Sequence, residues 1–162
     1  MKTAFFIGLW LTICSFTCSN INAMDKTLKS ISNLVAETHI DKTAVEAALG
    51  IRLSEDKKAS AGQGMIIYEL GMSIVLSDYA RVELRVFDGN KKFFLLLYPE
   101  TAIPLPLEEL KKQYAYKGFT PADPQRKEPA GYHFEHNGHK LDFYCDGKLK
   151  NIIQVTIEGS SK

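Results

Sequence analysis

The chain has 162 residues, a formal net charge of +1, and 45% hydrophobic and 24% charged residues. That length suits one ordinary domain or two small ones, and the even charge balance argues against a nucleic-acid or membrane-surface binder, which carries a basic excess. Three cysteines are too few for the disulfide framework that staples many small secreted folds.

Residues 1–23 begin with Lys2, run apolar from Ala4 to Phe16 and end in small and polar residues at Ala23, the layout of a secretory signal peptide. The apolar run is shorter than the ~20 residues of a membrane-spanning helix. No later segment qualifies either, so the expectation is an exported protein of the periplasm or extracellular space without a transmembrane segment. Cys18 offers a lipid anchor as an alternative, although Ser15, Phe16 and Thr17 depart from the lipoprotein pattern Leu-x-Gly/Ala-Cys. Cleavage after Ala23 leaves about 139 residues, 19 basic against 19 acidic, with Cys145 as the sole thiol.

Asp25 is placed to cap a helix that carries Leu28, Ile31, Leu34 and Val35 at helical spacing. A second helix follows, with Thr43 and Glu46 as a capping box, Val45, Ala48 and Leu49 as its apolar stripe, and Gly50 just past its end. Residues 51–63 read as a polar loop. Strands are predicted at 64–70, 72–78, 81–88 and 92–98, with Gly89 and Asn90 as a hairpin turn. A third helix starts near Pro106 and carries Leu107, Leu110 and Tyr114 before Gly118. Residues 119–130 hold three prolines and read as irregular, and strands resume at 131–137, 139–145 and 148–158.

The order helix, loop, strands thus occurs twice. Laid without a gap over 131–154, residues 64–87 put Gly64 on Gly131, Gly71 on Gly138, Ile67 on Phe134, Ile74 on Leu141, Leu76 on Phe143, Val82 on Leu149 and Val86 on Ile153. The 67-residue offset predicts an α+β fold of two similar units, each of short helices packed on an antiparallel sheet. The units would be 24–103 and 104–162, or the two would form one continuous domain. In element order and period this plan resembles the tandem α/β repeat of the β-lactamase inhibitor protein and related small domains of outer-membrane assembly lipoproteins. The resemblance implies inhibition of a secreted enzyme. Those inhibitors carry disulfides in their helical parts, which this chain cannot form. The stretch YCDG at 144–147 similarly resembles part of the periplasmic lysozyme inhibitors, without a partner cysteine.

Asn137 and Gly138 form the strongest short hairpin signal, because both turn positions need positive φ. The turn pairs His136 with His139, Glu135 with Lys140, Phe134 with Leu141, His133 with Asp142 and Tyr132 with Phe143. Alternation then puts Tyr132, Phe134, Leu141, Phe143 and Cys145 on one face, with His136 and His139 at its solvated tip. His133 points the other way, with Glu135, Lys140, Asp142 and Tyr144, so no single ion takes all three histidines. His136 and His139 remain weak metal candidates, and no metal or cofactor is expected. Cys145 reads as a buried strand cysteine. With no nucleophile elbow, phosphate loop or His-Glu-x-x-His in sight, the chain is expected to be non-enzymatic. A hydrolase or metal enzyme centred on His136, His139 and Cys145 of the 133–145 hairpin is the further alternative.

In the first unit, Val86 pairs with Phe93, Leu84 with Leu95 and Val82 with Leu97, an apolar core face. The opposite face pairs Phe87 with Lys92, Arg85 with Phe94, Glu83 with Leu96 and Arg81 with Tyr98, and a hairpin at Leu70 and Gly71 would add Ile66, Tyr68 and Val75. A half-solvated sheet is usually polar outside, whereas this one is rich in aromatics and arginine. The candidate partner-binding residues are Tyr68, Arg81, Glu83, Arg85, Phe94 and Tyr98. Asp78 and Tyr79 in the turn 77–80 would extend them, as the loop of such inhibitors does. Such a face is either covered, by the second unit or by a twin subunit in a homodimer, or it binds another protein. A small ligand between the units, under a flap at 119–130, is a third option. The expectation is an exported protein-binding module, an inhibitor or immunity protein acting on an envelope or secreted enzyme. An envelope assembly or scaffold protein is the alternative.

Overall fold

The computed structural model describes residues 26–61, 64–71, 78–87, 89 and 91–160. The signal segment with Cys18, the Asp25 cap, residues 72–77 of the strand expected at 72–78, and Asn90 lie outside the described residues.

Helix α1 covers 26–36 and buries the helically spaced Ile31, Leu34 and Val35. Helix α2 is Lys42–Leu49 and ends at Gly50 in the left-handed conformation, φ 66°. Its cap is Asp41 and not the expected Thr43 and Glu46 box, because the Asp41 carboxylate reaches the free Ala44 N–H at 2.8 Å. Glu46 instead accepts the Leu53 N–H at 2.7 Å and ties α2 to the next strand. The segment expected as loop holds that strand, β1 (Leu53–Glu55), and the short helix α3 (Lys57–Ser60), capped by Asp56. There follow β2 (Met65–Leu70), β3 (Tyr79–Phe87), β4 (Lys92–Pro99), β5 (Ile103–Pro104), helix α4 (Leu107–Gln113), β6 (Ala115–Thr120), β7 (Ala130–His136), β8 (His139–Cys145) and β9 (Asn151–Ser160).

Among the described residues the strands join one nine-stranded antiparallel sheet of order β1-β2-β3-β4-β9-β8-β7-β6, with β5 also on β9. The fold is α+β, and the meanders β1 to β4 and β6 to β9 meet where Leu95 of β4 faces Ile157 of β9. A single hydrophobic cluster serves both halves. It gathers Ile31, Leu34, Val45 and Leu110 from the helices onto Leu84, Leu95, Ile157, Leu141 and Phe143 of the sheet. Each such buried side chain contributes ~1.5–3 kcal/mol relative to exposure. Among the described residues no helix is long and apolar enough to cross a membrane.

Both hairpin registers read from the sequence are present, from Val86 with Phe93 to Arg81 with Tyr98, and from His136 with His139 to Tyr132 with Phe143. Asn137 and Gly138 take φ values of 51° and 82° at the second turn. Three expectations change. Strand β2 pairs directly with β3, so Tyr68 faces Leu84 and Ile66 faces Val86, both on the core side. Helix α4 stops at Gln113, and 115–120 form the edge strand β6 on β7. Residues 121–129, expected to be wholly irregular, then make a turn closed by mutual Asp123 and Glu128 backbone bonds of 3.0 Å. Beyond Gly71 the ungapped offset does not carry over: Val82 lies in β3, whereas Leu149 lies in the β8–β9 loop with φ 56°.

Candidate functional site

Because side chains alternate along a strand, the residues of β3 and β4 that are not in the core cluster stand together on the face turned from the helices. Arg81 is opposite Tyr98, Glu83 opposite Leu96 and Arg85 opposite Phe94, and Ile67 and Glu69 of β2 continue the rows. Glu83 is only 3% exposed. Its two oxygens are held separately, one by Nη2 of Arg81 and the other by Nε of Arg85. Arg81 also approaches Glu69 at 3.8 Å, and the Arg85 guanidinium lies 5.7 Å from the centre of the Phe94 ring. Two charge-assisted hydrogen bonds offset the desolvation of the carboxylate, and the carboxylate in turn fixes both guanidiniums in place.

The sequence-predicted Arg81, Glu83, Arg85, Phe94 and Tyr98 are therefore brought together, and three others are not. Tyr68 packs on the core side, its ring 5.6 Å from Nζ of Lys42. Tyr79 is buried at the start of β3, where its hydroxyl meets Thr27 and Ser30 of α1, and burial above all pushes its pKa up to about 12. Asp78 is engaged by Lys26 of α1 at 2.5 Å. The turn expected to extend the surface instead fastens α1 to the sheet. Ser77 lies outside the described residues.

At the outer end of the same face is a groove of about 660 Å³ lined by Arg85, Phe87, Lys92, Phe94, Lys140 and Glu158. That Lys140 and Glu158 border this groove was not legible in the sequence, because nothing local announces that β9 lies between β4 and β8.

The 133–145 hairpin divides its histidines as expected, and Asn137 and Gly138 at its tip are exposed, but His139 is buried. Backbone carbonyls at the end of α1 reach the hairpin end: Val35 accepts from Nδ2 of Asn137 at 3.3 Å, and Glu37 accepts from Nε2 of His139 at 3.1 Å. His139 is 2% exposed, packs on Phe93, and has no partner for Nδ1 among the described residues. His136 packs on the Tyr114 ring at 5.4 Å. Cys145 is buried, and burial first, then Asp146, raises its thiol pKa to about 11, far from a reactive thiolate. It also lies six residues along β8 from His139, about 20 Å at strand spacing. Among the described residues no group of three or more His, Cys, Asp or Glu is placed to hold a metal ion.

His133 stands on the open face in a different setting. Its Nδ1 is 2.7 Å from Oδ1 of Asp142 and its Nε2 is 2.7 Å from Oγ1 of Thr120. An ionised carboxylate only accepts, so Nδ1 carries a proton, and in the neutral imidazole the Nε2 lone pair is then the atom that accepts the threonine hydroxyl. The other Asp142 oxygen accepts from Oγ1 of Thr156 at 3.2 Å, and the Tyr144 hydroxyl bonds Thr156 in turn. Nearby, Lys117 bonds Glu135 at 2.9 Å and, more than Lys140, holds its carboxyl below the usual range. The His133 and Asp142 pair was legible from turn register, but Thr120 was not, because the strand carrying it was read as irregular.

No protein-family model matches the chain, and no curated protein or solved structure matches it either.

Proposed function

We propose that this chain is an exported protein-binding module, an inhibitor or immunity protein that docks on an envelope or secreted enzyme through the open face of its sheet. The observation that supports this most is the grouping of Arg81, Arg85, Phe94 and Tyr98 on the side turned from the helices. Arginine and aromatic residues dominate the energetic centres of protein interfaces. Here the two guanidiniums are also pre-positioned by Glu83, so docking would cost little side-chain freedom. The partner surface that fits is acidic with flat apolar groups: carboxylates for the outer guanidinium nitrogens, and a side chain to enter the groove beside Phe87 and Phe94.

The reading agrees with the resemblance to tandem-repeat inhibitors. It extends to a two-unit organisation, in which each half contributes one meander and the last strands pair at the centre. A second copy of the chain on the same face is the competing occupant. The test is affinity capture from envelope and secreted extracts, comparing the wild-type chain with a Phe94→Ala, Tyr98→Ala double variant. One enzyme recovered by the wild type and lost with the variant supports the proposal. Equal recovery by both, or a wild-type chain that sediments as a dimer broken by the two substitutions, overturns it.

A further inference from the structure

Thr120, His133 and Asp142 come from three adjacent strands, β6, β7 and β8. His133 and Asp142 are direct cross-strand neighbours, and Thr120 pairs with Gly131, two residues from His133 on the same face. We propose that this relay is a nucleophilic site in which Thr120 takes an acyl group from a carboxylic ester and passes it to water. The proposal is independent of the docking surface, whose anchors Arg81, Arg85, Phe94 and Tyr98 stand on β3 and β4.

Three features carry it. The proton order matches the need: a threonine hydroxyl is a weak nucleophile until a neighbouring base accepts its proton, and the base must present a lone pair to it. With Nδ1–H held by Asp142, His133 presents that lone pair at hydrogen-bond distance. Asp142 is itself anchored by Thr156, so imidazole and carboxylate are both oriented, the third element of such a relay.

Access is the second feature. Thr120 is exposed on the edge strand, whereas His133 and Asp142 are partly covered, with side chains 31% and 28% accessible. Space is the third. Position 131, opposite Thr120, is glycine, and an added Cβ there would stand 3.1 Å from the Tyr144 ring and 3.5 Å from Cε1 of His133. The absent side chain leaves a shallow floor beside the hydroxyl, bounded by the Tyr144 ring and the imidazole. That shape suits a small or extended acyl group.

In the reaction, Oγ1 of Thr120 bonds to the acyl carbon while its proton passes to Nε2 of His133, and Asp142 stabilises the imidazolium. The ester C–O bond breaks, and the proton leaves with the departing alkoxide as an alcohol. Water, deprotonated by the same Nε2, then attacks the threonine ester, releasing the carboxylic acid and restoring the hydroxyl.

The probe is a fluorophosphonate, which an activated hydroxyl attacks at phosphorus with loss of fluoride, followed by intact-mass and peptide mapping of the folded full chain. The expected result is one adduct on Thr120, absent in Thr120→Val, retained in Thr120→Ser, and formed at least about tenfold more slowly in Asp142→Asn. His133→Gln should lose the adduct as well, and if that variant fails to fold, the Thr120→Ser and Asp142→Asn pair still decides. No adduct at Thr120 in the folded wild type, or a rate unchanged in Asp142→Asn, overturns the proposal and leaves the relay as a structural ladder of hydrogen bonds.

Discussion

Glu83 and Arg85 lie two residues apart on β3, with Nε of the guanidinium on one oxygen of a carboxylate that is almost wholly buried. A charge so placed persists only while it is paired, so Glu83→Ala should lower stability by about 2 kcal/mol, less than for a fully enclosed pair because both arginines reach water. Glu83→Gln should fall between the two. Urea denaturation reads both, and a loss below about 0.5 kcal/mol for the alanine variant would show the cluster to be incidental.

Beneath the His139 ring lies Gly159, where a Cβ would come within 2.4 Å of Nδ1 and 3.0 Å of Phe93. Gly159→Ala is therefore expected to cost ~1–3 kcal/mol through overpacking. In a His139→Ala background the same substitution should cost much less, since the obstructing ring is gone, and a double-mutant cycle measures the difference. Equal costs in both backgrounds would contradict the packing described.

What the sequence could disclose follows from how each feature is encoded. Asn137 with Gly138, and Gly89 with its neighbours, fix turn length locally. Parity follows from turn length, so both hairpin faces and the meeting of Arg81, Arg85, Phe94 and Tyr98 were legible. Tyr68 was misplaced for the same reason in reverse, because the turn assumed at Leu70 and Gly71 inverted the parity of β2, and Tyr79 because it was read as part of a turn at 77–80, whereas it begins β3. Strand β6 was hidden because Ala115 to Thr120 contains a glycine, a register shift near Gly118 and little alternation. Its pairing with β7 is a tertiary fact. The burial of His139 under α1 joins residues 102 positions apart, beyond any local pattern.

At alkaline pH two buried groups act together. Cys145 at about 11 and Tyr79 at about 12 are both raised above their ordinary values of 9.0 and 10.0. A raised folded pKa means the native state holds the proton more tightly. The stability this contributes is full below pH 9 and falls progressively as pH rises through 11 and 12. Thermal unfolding from pH 8 upward should show that fall, and Tyr79→Phe with Cys145→Ala should flatten it. A wild-type midpoint independent of pH in this window would contradict the burial of both groups.

On the acid side, Asp146 accepts backbone N–H bonds from Lys150, Lys148 and Asn151 and a side-chain bond of 2.7 Å from Asn151, which lower its pKa from 3.8. A lowered folded pKa gives stability that is present above the ordinary value and lost as pH falls through the folded one. Asp146→Asn should therefore be less stable than the wild type at neutral pH, with the gap closing below pH 3.8. A constant gap across that range would assign the loss to something other than the charge.

On the proposed function, the helix-free face binds a protein. The most direct measurement of that binding is the dissociation constant of the captured enzyme for the wild-type chain and for the Phe94→Ala, Tyr98→Ala variant, with circular dichroism confirming that both are folded. The substitutions spare Arg85 because it is committed to Glu83. Weakening of at least about tenfold is expected, the effect of losing interface anchors worth more than ~1 kcal/mol. Constants that agree within about twofold, a difference below 0.5 kcal/mol, would contradict it.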